Sequence, residues 1–402
     1  MTQDMTEITA APAFQAATAE LRSTHDAFVD EIVELTQIPA PPFAEEVRAK
    51  AYEAKFRALG LEEVGNDAIG NVTGLRRGRG NGRTIVVAAH LDTVFPAGTD
   101  VTVRREGTVL RAPGVGDDTR GLAALLAFVR ALGAGGVETE ADILFVGDVG
   151  EEGKGDLRGV RHLLTEGPWA GKVEAFFTID GLEPSEIVTT AVGSLRYRIG
   201  FAGPGGHSFA AFGTANPAYA LGQLLTGMAA LDVPKTPRTT YSASVMGGGT
   251  SINAIPEEAW VEIDLRSEEA GALQALDAQV RALAEAAARD ETARAETGEI
   301  ALTMQRSGAR PAGTTPDDAR IVQATRAALT AFGFTPSARA ASTDANIPMS
   351  LGIPALCLGS GGTGGRAHSL DEWIDVEEET SLRGLNAALA AIVATAGLWA
   401  RD

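Results

Sequence analysis

The sequence of 402 residues lacks several features that would point to particular classes of protein. Its single cysteine, Cys357, excludes an internal disulfide and a metal site built from cysteine thiolates. No apolar run reaches the roughly 18 residues that a membrane-spanning helix needs. The first residues also lack the basic and then apolar pattern of a signal peptide. These absences predict a cytoplasmic protein without a membrane segment.

Basic residues are scarce relative to acidic ones. Lys and Arg number 34 and Asp and Glu number 53, which gives a formal net charge of −19. Such a surplus disfavours nucleic acid and anionic membrane surfaces as partners, because Lys and Arg make the contacts with phosphate. An apolar content of 45% and a charged content of 22% are ordinary for globular proteins, which excludes disordered and coiled-coil chains.

The residues that are present follow the pattern of an α/β protein. A continuous apolar run at 84–89 is typical of a central parallel strand, and the mostly apolar segments 141–146 and 173–179 predict two further buried strands. Helical periodicity covers most of residues 1–59, with a break at the proline-rich stretch that begins at Pro39, and returns at 121–132. This order predicts a mostly parallel sheet flanked by helices.

The pattern changes near residue 193, where segments such as 195–201 alternate between apolar and polar residues. From there the chain predicts strand, helix, strand, strand, helix and strand, which is a ferredoxin-like α+β module of about 110 residues. We therefore predict an α/β domain formed by residues 1–193 and 308–402. Residues 194–307 would form an inserted α+β domain.

Imidazole and carboxylate side chains occur where the predicted strands end, spaced by about one βα unit. Because the carboxyl ends of parallel strands meet at one edge of a sheet, we expect these side chains to lie close together. Histidine and carboxylate ligands without cysteine suit paired zinc, manganese or cobalt better than a structural zinc. The candidates are His90, Asp92, Asp117, Asp118, Glu151, Glu152 and Asp180.

Each of these residues also has a simpler structural explanation. An aspartate before a helix is a favoured N-cap, which alone accounts for the pair Asp117 and Asp118. Asp92 stands two residues after His90 in an extended segment, so its carboxylate is expected to orient the imidazole. Of two adjacent glutamates, one can bind a cation while the other accepts a proton. His368, in a glycine-rich loop, is a candidate from the far end of the chain.

With these segments in place, the chain resembles the co-catalytic di-zinc exopeptidases and deacylases. That family includes glutamate carboxypeptidase, tripeptide aminopeptidase, acetylornithine deacetylase and succinyl-diaminopimelate desuccinylase. The resemblance extends from about residue 33 to the last helix. It rests on motifs in matching order at residues 90–94, 116–121, 151–153 and 203–208.

The resemblance implies a site for two divalent metal ions per subunit, with zinc expected first and manganese or cobalt as alternatives. His90 would bind one ion and His368 the other, and Asp117 would bridge the pair. Glu152 and Asp180 would each complete one side. The resemblance also implies a cis peptide bond after Asp117.

The resemblance implies further roles outside the ligand set. Glu151 would be the general base and Asp92 would orient a metal-binding histidine. His207, in the inserted domain, would reach across a dimer interface to the substrate carbonyl of the partner subunit. Asn253 and Arg266 match inserted-domain positions that contact substrate in the family.

The favoured hypothesis is a metallo-exopeptidase that cleaves an amide bond of small peptides by means of a metal-activated water, and that forms a homodimer through its inserted lid domain. A deacylase of N-acyl amino acids with the same mechanism is the close alternative. A non-catalytic peptide-binding protein on the same fold is the remote one. The residues leave open which end of the substrate is recognised and which metal is native.

Overall fold

The computed structural model describes residues 4–80 and 82–399, and the chain divides into two compact units. The first unit joins Met1–Ala191 to Thr314–Asp402, and the second is Val192–Gly313. Within the part of the chain that the structure describes, no helix combines the length and the apolar composition that crossing a membrane requires.

The helices and strands follow one another along both units. The helices are α1 (Met5–Ala10), α2 (Pro12–Ser23), α3 (His25–Thr36), α4 (Glu46–Ala58), α5 (Thr119–Ala134), α6 (Arg158–Thr165), α7 (Pro217–Ala229), α8 (Ala270–Arg294), α9 (Arg320–Ala331), α10 (Asn346–Ser350) and α11 (Glu378–Ala396). The strands are β1 (Glu62–Asn66), β2 (Val72–Arg76), β3 (Thr84–His90), β4 (Arg104–Glu106), β5 (Val109–Arg111), β6 (Asp142–Asp148), β7 (Val173–Ile179), β8 (Glu186–Ala191), β9 (Gly193–Ala202), β10 (Gly206–His207), β11 (Thr239–Gly248), β12 (Ala254–Ile255), β13 (Glu258–Ser267), β14 (Ala301–Arg310), β15 (Gly313–Thr314), β16 (Ser337–Ala341), β17 (Ala355–Leu358), β18 (Thr363–Gly365) and β19 (Trp373–Asp375).

The central sheet of the first unit places β3 in its middle. The strands run in the order β1, β2, β6, β3, β7, β17, β8, with β16 also paired to β8. β3 is parallel to both of its neighbours, β6 and β7, and all seven of its residues are buried. The carboxyl ends of these three strands therefore lie side by side at one edge of the sheet.

Helices rich in alanine and leucine cover the central sheet. α5 and α11 contribute most of their residues to the larger apolar core of this unit. Asp118 precedes α5 and caps it, because its carboxylate accepts a hydrogen bond from the main-chain N–H of Gly121 at 3.2 Å. This cap fixes the residue at which the loop before α5 ends and the helix begins.

The prediction of one uninterrupted helix before Pro39 is wrong, because the structure divides that stretch into α1, α2 and α3. Pro12 stands at the first position of α2 and lacks the N–H that would continue α1. Thr24 adopts a non-helical conformation between α2 and α3, and its hydroxyl donates to the carbonyl of Glu20 at 2.8 Å.

The second unit is a four-stranded antiparallel sheet with two helices. Among the described residues its strands run in the order β11, β13, β9, β14, which is the strand order of the ferredoxin-like fold. Alternate residues of β13, such as Val261 and Ile263, are buried and share a core with Leu224 of α7 and Leu276 of α8. The two units together confirm the predicted fold class.

Candidate metal centre

The candidate ligands of the first unit meet at the carboxyl edge of its central sheet. His90 is the last residue of β3, and Asp180 follows β7 directly. Glu151 and Glu152 come three and four residues after the end of β6, at the start of a short 3₁₀ helix, Gly153–Gly155. The parallel arrangement of the three strands thus brings together side chains that are far apart in the sequence.

Asp117 lies between the two histidines. Its Oδ1 is 3.0 Å from Nε2 of His90, and its Oδ2 is 2.9 Å from Nε2 of His368. The same Nε2 of His368 is 2.8 Å from Oε1 of Glu152. One carboxylate therefore faces a different imidazole with each of its oxygens, which is the arrangement that a bridging ligand requires.

Among the described residues, two groups of side chains have ligand atoms within 4.8 Å of one another. One consists of His90, Asp117 and Glu152, and the other of His90, Asp118 and Asp180. The peptide bond between Asp117 and Asp118 is cis, as predicted. Besides capping α5, the Asp118 carboxylate accepts a hydrogen bond from the main-chain N–H of His90 at 3.2 Å, so it anchors the end of β3.

Asp92 ties the end of β3 to the two glutamates. Its carboxylate accepts hydrogen bonds from the main-chain N–H groups of Glu151 at 3.0 Å and of Glu152 at 2.8 Å. Nδ1 of His90 lies 2.9 Å from the main-chain carbonyl of Asp92 and 3.7 Å from its carboxylate. The imidazole is therefore oriented by the carbonyl of Asp92, whereas the sequence suggested its carboxylate. With Nδ1 donating to that carbonyl, Nε2 is the ring atom available to a metal ion.

The ionisable groups of the site shift one another's pKa values. Burial, and then the charge of Asp117, raises the pKa of Asp180 to about 6. Hydrogen bonds to Asp117 and Glu152 raise the pKa of His368 to about 11. Burial opposes protonation of His90, but the hydrogen bond to Asp117 and the surrounding carboxylates outweigh it and raise the pKa well above the usual value.

The residues present fit two divalent cations. Carboxylates held this close repel one another, and burial removes the water that would screen them, so positive charge among them is favourable. Imidazole nitrogens and carboxylate oxygens are the donors that zinc, manganese and cobalt accept. Among the described residues, Cys357 lies outside both candidate groups, and burial raises the pKa of its thiol well above the usual value.

Three buried carboxylic acids near the site were not found from the sequence. Burial raises the pKa of Asp148, the last residue of β6, to about 7. Burial and the charge of Asp148 raise the pKa of Asp344 well above the usual value. Burial also raises the pKa of Glu372 to about 7, although three main-chain N–H groups oppose the shift. Only Asp148 had a detectable signal, because it stands at a strand end like His90 and Asp180.

A cavity of about 280 Å³ opens beside the site within the first unit. Asp117 and Asp180 form part of its wall. Apolar contact surface comes from residues that include Leu182 and Trp373, while Arg339 contributes a guanidinium. The space is large enough for a small amino acid side chain or acyl group.

The three remaining candidates lie in the second unit. β10 pairs with β12, which sets His207 opposite Ala254 and next to Asn253, whose carbonyl accepts from Ser208 N at 2.9 Å. Nδ1 of His207 accepts hydrogen bonds from the main-chain N–H groups of Phe209 and Ala210. The neutral ring therefore carries its proton on Nε2, on an exposed side chain.

Arg266 is separated from that pair within the second unit. It stands near the end of β13, whereas β12 and His207 lie near its beginning, about 26 Å away along the strand. Its Nε donates to the carboxylate of Asp264 at 2.6 Å, which also accepts from Arg196 at 3.2 Å. The structure thus brings His207 and Asn253 together and leaves Arg266 apart from them.

The comparison with protein families agrees with this site. Residues 86–394, well over half of the chain, match the model described as peptidase family M20/M25/M40. The chain belongs to this peptidase family. The match contains every candidate ligand and Glu151, and it confirms the resemblance inferred from the motifs. Membership also makes the protein a hydrolase.

Individual members of the family resemble the chain at lower identity. A succinyl-diaminopimelate desuccinylase from Corynebacterium glutamicum is 27% identical over 260 residues, which cover 62% of this chain and 69% of that protein. The aminopeptidase PepT from Bacillus cereus superposes with a TM-score of 0.76 at 22% identity, over 93% of this chain and 99% of that one. YxeP from Bacillus subtilis, described as a dinuclear metal-binding M20 peptidase, gives 0.67 at 19% identity, over 93% and 99% of the two chains. Both structures support the fold.

Proposed function

We propose that this M20-family protein is a metal-dependent exopeptidase that hydrolyses an amide bond of small peptides. The observation that carries the proposal is the position of Asp117, whose two oxygens face His90 and His368. A glutamate pair follows directly on the same sheet edge, so ligands and a proton acceptor are within one site. Metal ligands and a proton acceptor are the groups that hydrolysis by a metal-activated water requires.

The residues of the site divide into two sets of ligands for the cations. His90 with Asp180 would hold one ion and His368 with Glu152 the other, with Asp117 shared between them. When bound, two divalent cations would polarise the amide carbonyl and lower the pKa of a water molecule towards neutrality. Zinc is the ion that we propose, with manganese and cobalt as alternatives.

Glu151 is the proposed proton acceptor. Asp92 holds the main chain of both glutamates, and the backbone at Glu152 is extended, so successive side chains point in different directions. Glu152 faces His368, whereas the carboxylate of Glu151 is near enough to Asp344 to raise the pKa of that acid. Because Glu151 lies outside both groups of candidate ligands among the described residues, we propose that its carboxylate takes a proton from the attacking water and returns it to the leaving nitrogen.

A deacylase of N-acyl amino acids is the second candidate. It would use the same residues in the same roles, and the similarity to a desuccinylase favours it. The two functions differ in what occupies the cavity beside Asp117 and Asp180. A peptide would place an amino acid residue there, and an N-acyl amino acid would place an acetyl or succinyl group there.

A substrate panel separates the two functions. We expect the zinc-loaded protein to release free amino acids from dipeptides or tripeptides faster than from N-acetyl or N-succinyl amino acids. Chelation should abolish the activity, and the return of zinc, manganese or cobalt should restore it. Faster hydrolysis of the N-acyl substrates would favour the deacylase. Hydrolysis that survives complete removal of metal would contradict both candidates.

His207 is proposed to complete the site of a partner subunit in a homodimer. Its exposed Nε2–H is a donor that the local fold orients, because Nδ1 is held by two main-chain N–H groups. Such a donor can stabilise the negative charge that develops on a substrate carbonyl oxygen. Asn253 lies beside it and is proposed to contact the same substrate, and Arg266 is proposed to bind a substrate carboxylate.

Replacing His207 by alanine should lower kcat by about 100-fold, which is typical for loss of one donor to a developing oxyanion. The unfolding temperature should stay close to that of the wild type, because the side chain is exposed. Steady-state kinetics and thermal unfolding measure the two effects. An unchanged kcat would remove His207 from catalysis.

Mixing two inactive variants tests whether His207 acts across subunits. A dimer of one H207A and one E151Q chain contains a site with an intact Glu151 and an intact His207 only if the histidine comes from the other chain. Subunit exchange should then restore about a quarter of the wild-type activity, since random exchange yields half heterodimers with one active site each. No recovery after exchange would place His207 in its own chain's site or in none.

A further inference from the structure

The carboxylate of Glu372 accepts hydrogen bonds from the main chain of the loop that contains Asp117. This buried carboxylate stands immediately before β19. Its Oε2 accepts a hydrogen bond from the N–H of Gly114 at 2.8 Å. Its Oε1 accepts from the N–H of Gly116 at 2.7 Å and from the N–H of Asp117 at 2.9 Å. Three main-chain donors of a four-residue stretch therefore converge on one side chain.

The glycines of this loop permit the close approach. A Cβ atom at Gly116 would lie 3.2 Å from Oε1 of Glu372 and 2.9 Å from a methyl group of Ile374. Gly114 has a φ of +76°, and a Cβ there would meet Thr93 at 2.7 Å. A side chain at position 116 would push the loop away from the carboxylate, so the contact with Glu372 explains Gly116. Gly114 is explained by its positive φ and by the approach of Thr93.

The same residue also connects the loop of His368 to the loop of Asp117. The main-chain N–H of Glu372 donates to the carbonyl of Ser369 at 3.2 Å, which closes a turn directly after His368. The carbonyl of Glu372 accepts from the N–H of Ala112 at 3.2 Å. Glu372 therefore holds both segments whose side chains meet at the 2.9 Å contact between Asp117 and His368.

We propose that Glu372 is a positioning residue that sets the distance between the bridging aspartate and the second histidine of the metal centre. It acts through Asp117 and His368, because its own oxygens are occupied by main-chain N–H groups. This inference rests on the proposed function in so far as Asp117 and His368 are taken as metal ligands. The hydrogen bonds on which it is built do not depend on that assignment.

The role requires a carboxylate in particular. An ionised carboxylate accepts hydrogen bonds at both oxygens, whereas a glutamine of the same shape accepts at one and donates at the other. In either orientation the NH2 of a glutamine would face at least one of the three main-chain N–H groups, and two donors cannot form a hydrogen bond. Glu372→Gln should therefore release part of the loop without changing the volume of the side chain.

The test compares metal binding by apoproteins of the wild type and of E372Q. Competition with a chromophoric zinc chelator should show two ions in the wild type and an affinity for at least one ion that is about 10- to 100-fold weaker in E372Q. Hydrogen exchange at residues 114–117 should be faster in the variant. With saturating zinc, kcat should recover most of its loss while KM stays unchanged.

D371N is the matched control, because it removes the same charge one residue away. Asp371 is exposed and forms an ion pair with Arg366 at 3.2 Å, so its loss should leave zinc affinity and exchange at residues 114–117 as in the wild type. If D371N weakens zinc binding as much as E372Q does, the effect is one of local charge and the positioning role is overturned. Wild-type zinc affinity in E372Q would overturn it directly.

A second variant decides the matter if E372Q does not fold. E372D keeps two acceptor oxygens on a side chain shorter by one methylene, so it should fold and bind zinc with an affinity below that of the wild type. Unchanged affinity in E372D would then overturn the proposal. A wild-type protein that binds no zinc would contradict the proposed function instead. In that case faster exchange at residues 114–117 of a variant would still support the contact with Glu372.

Discussion

Replacing Glu151 by glutamine should lower kcat by a factor of about 10² to 10⁴, the usual contribution of a general acid–base group. The amide cannot accept a proton from the attacking water, and it cannot return one to the leaving nitrogen. The zinc content should remain near two ions per chain, because Glu151 lies outside both groups of candidate ligands among the described residues. Kinetics with the best peptide of the panel and metal analysis of the same sample provide the measurement.

The neighbouring glutamate offers the matched control. Glu152 is 2.8 Å from His368 and belongs to a candidate ligand group, so E152Q should lose zinc as well as activity. The two variants differ by one position and carry the same chemical change. If E151Q retains more than a small part of the wild-type kcat, Glu151 is not the proton acceptor. If E151Q loses zinc while E152Q keeps it, the two roles are reversed.

The central sheet could be predicted because its strands are buried on both faces. β3 is almost entirely apolar and β7 mostly so, and the predicted bounds of β7 agree with the observed ones. Once the strands were placed, the residues at their ends followed from the parallel topology alone. His90 and Asp180 were found in this way from the order of residues.

Short and exposed strands could not be predicted in the same way. β1 has the burial pattern of an edge strand, with residues that are exposed or half-buried, so it lacks both a continuous apolar run and a clear alternation. β16 is equally exposed, and it is recognised only by its pairing with β8. Such strands are defined by their neighbours more than by their own residues.

The hydrogen bonds that support the site could not be predicted either, because their partners are far apart in the sequence. The carboxylate of Glu372 meets residues more than 250 positions earlier in the chain. Asp92 was assigned to the imidazole of His90, but its carboxylate accepts the N–H groups of two glutamates from another strand end. Residue types indicate which groups can bond, whereas the choice among partners depends on the tertiary structure.

In the second unit, the structure places two of the three residues that were predicted from motifs side by side and the third apart from them. His207 and Asn253 come from separate motifs, and the pairing of β10 with β12 brings them together. Arg266 comes from a motif of the same kind, yet it lies at the other end of β13 and is engaged by Asp264. A substrate that contacts all three residues would therefore need to span a long distance or draw Arg266 from another subunit.

Replacing Asp117 by asparagine should have the second of the two largest effects. A bridging ligand must offer an oxygen to each of two cations, and asparagine offers a single neutral oxygen. We expect the zinc content to fall from two ions to one or fewer. Loss of the paired ions removes several kcal/mol of stabilisation from charge that develops in the transition state, so kcat should fall by at least about 10³-fold.

The adjacent aspartate makes this prediction specific. Asp118 carries the same functional group, but its oxygens accept the N–H groups of Gly121 and His90, so D118N keeps one of these contacts and should retain more zinc than D117N. Metal analysis after equal dialysis compares the two variants, and circular dichroism of the apoproteins checks their folding. If D118N loses both zinc ions and D117N keeps them, Asp118 is the bridging ligand. The 3.0 Å and 2.9 Å contacts of Asp117 with the two histidines would then be hydrogen bonds of the apoprotein alone.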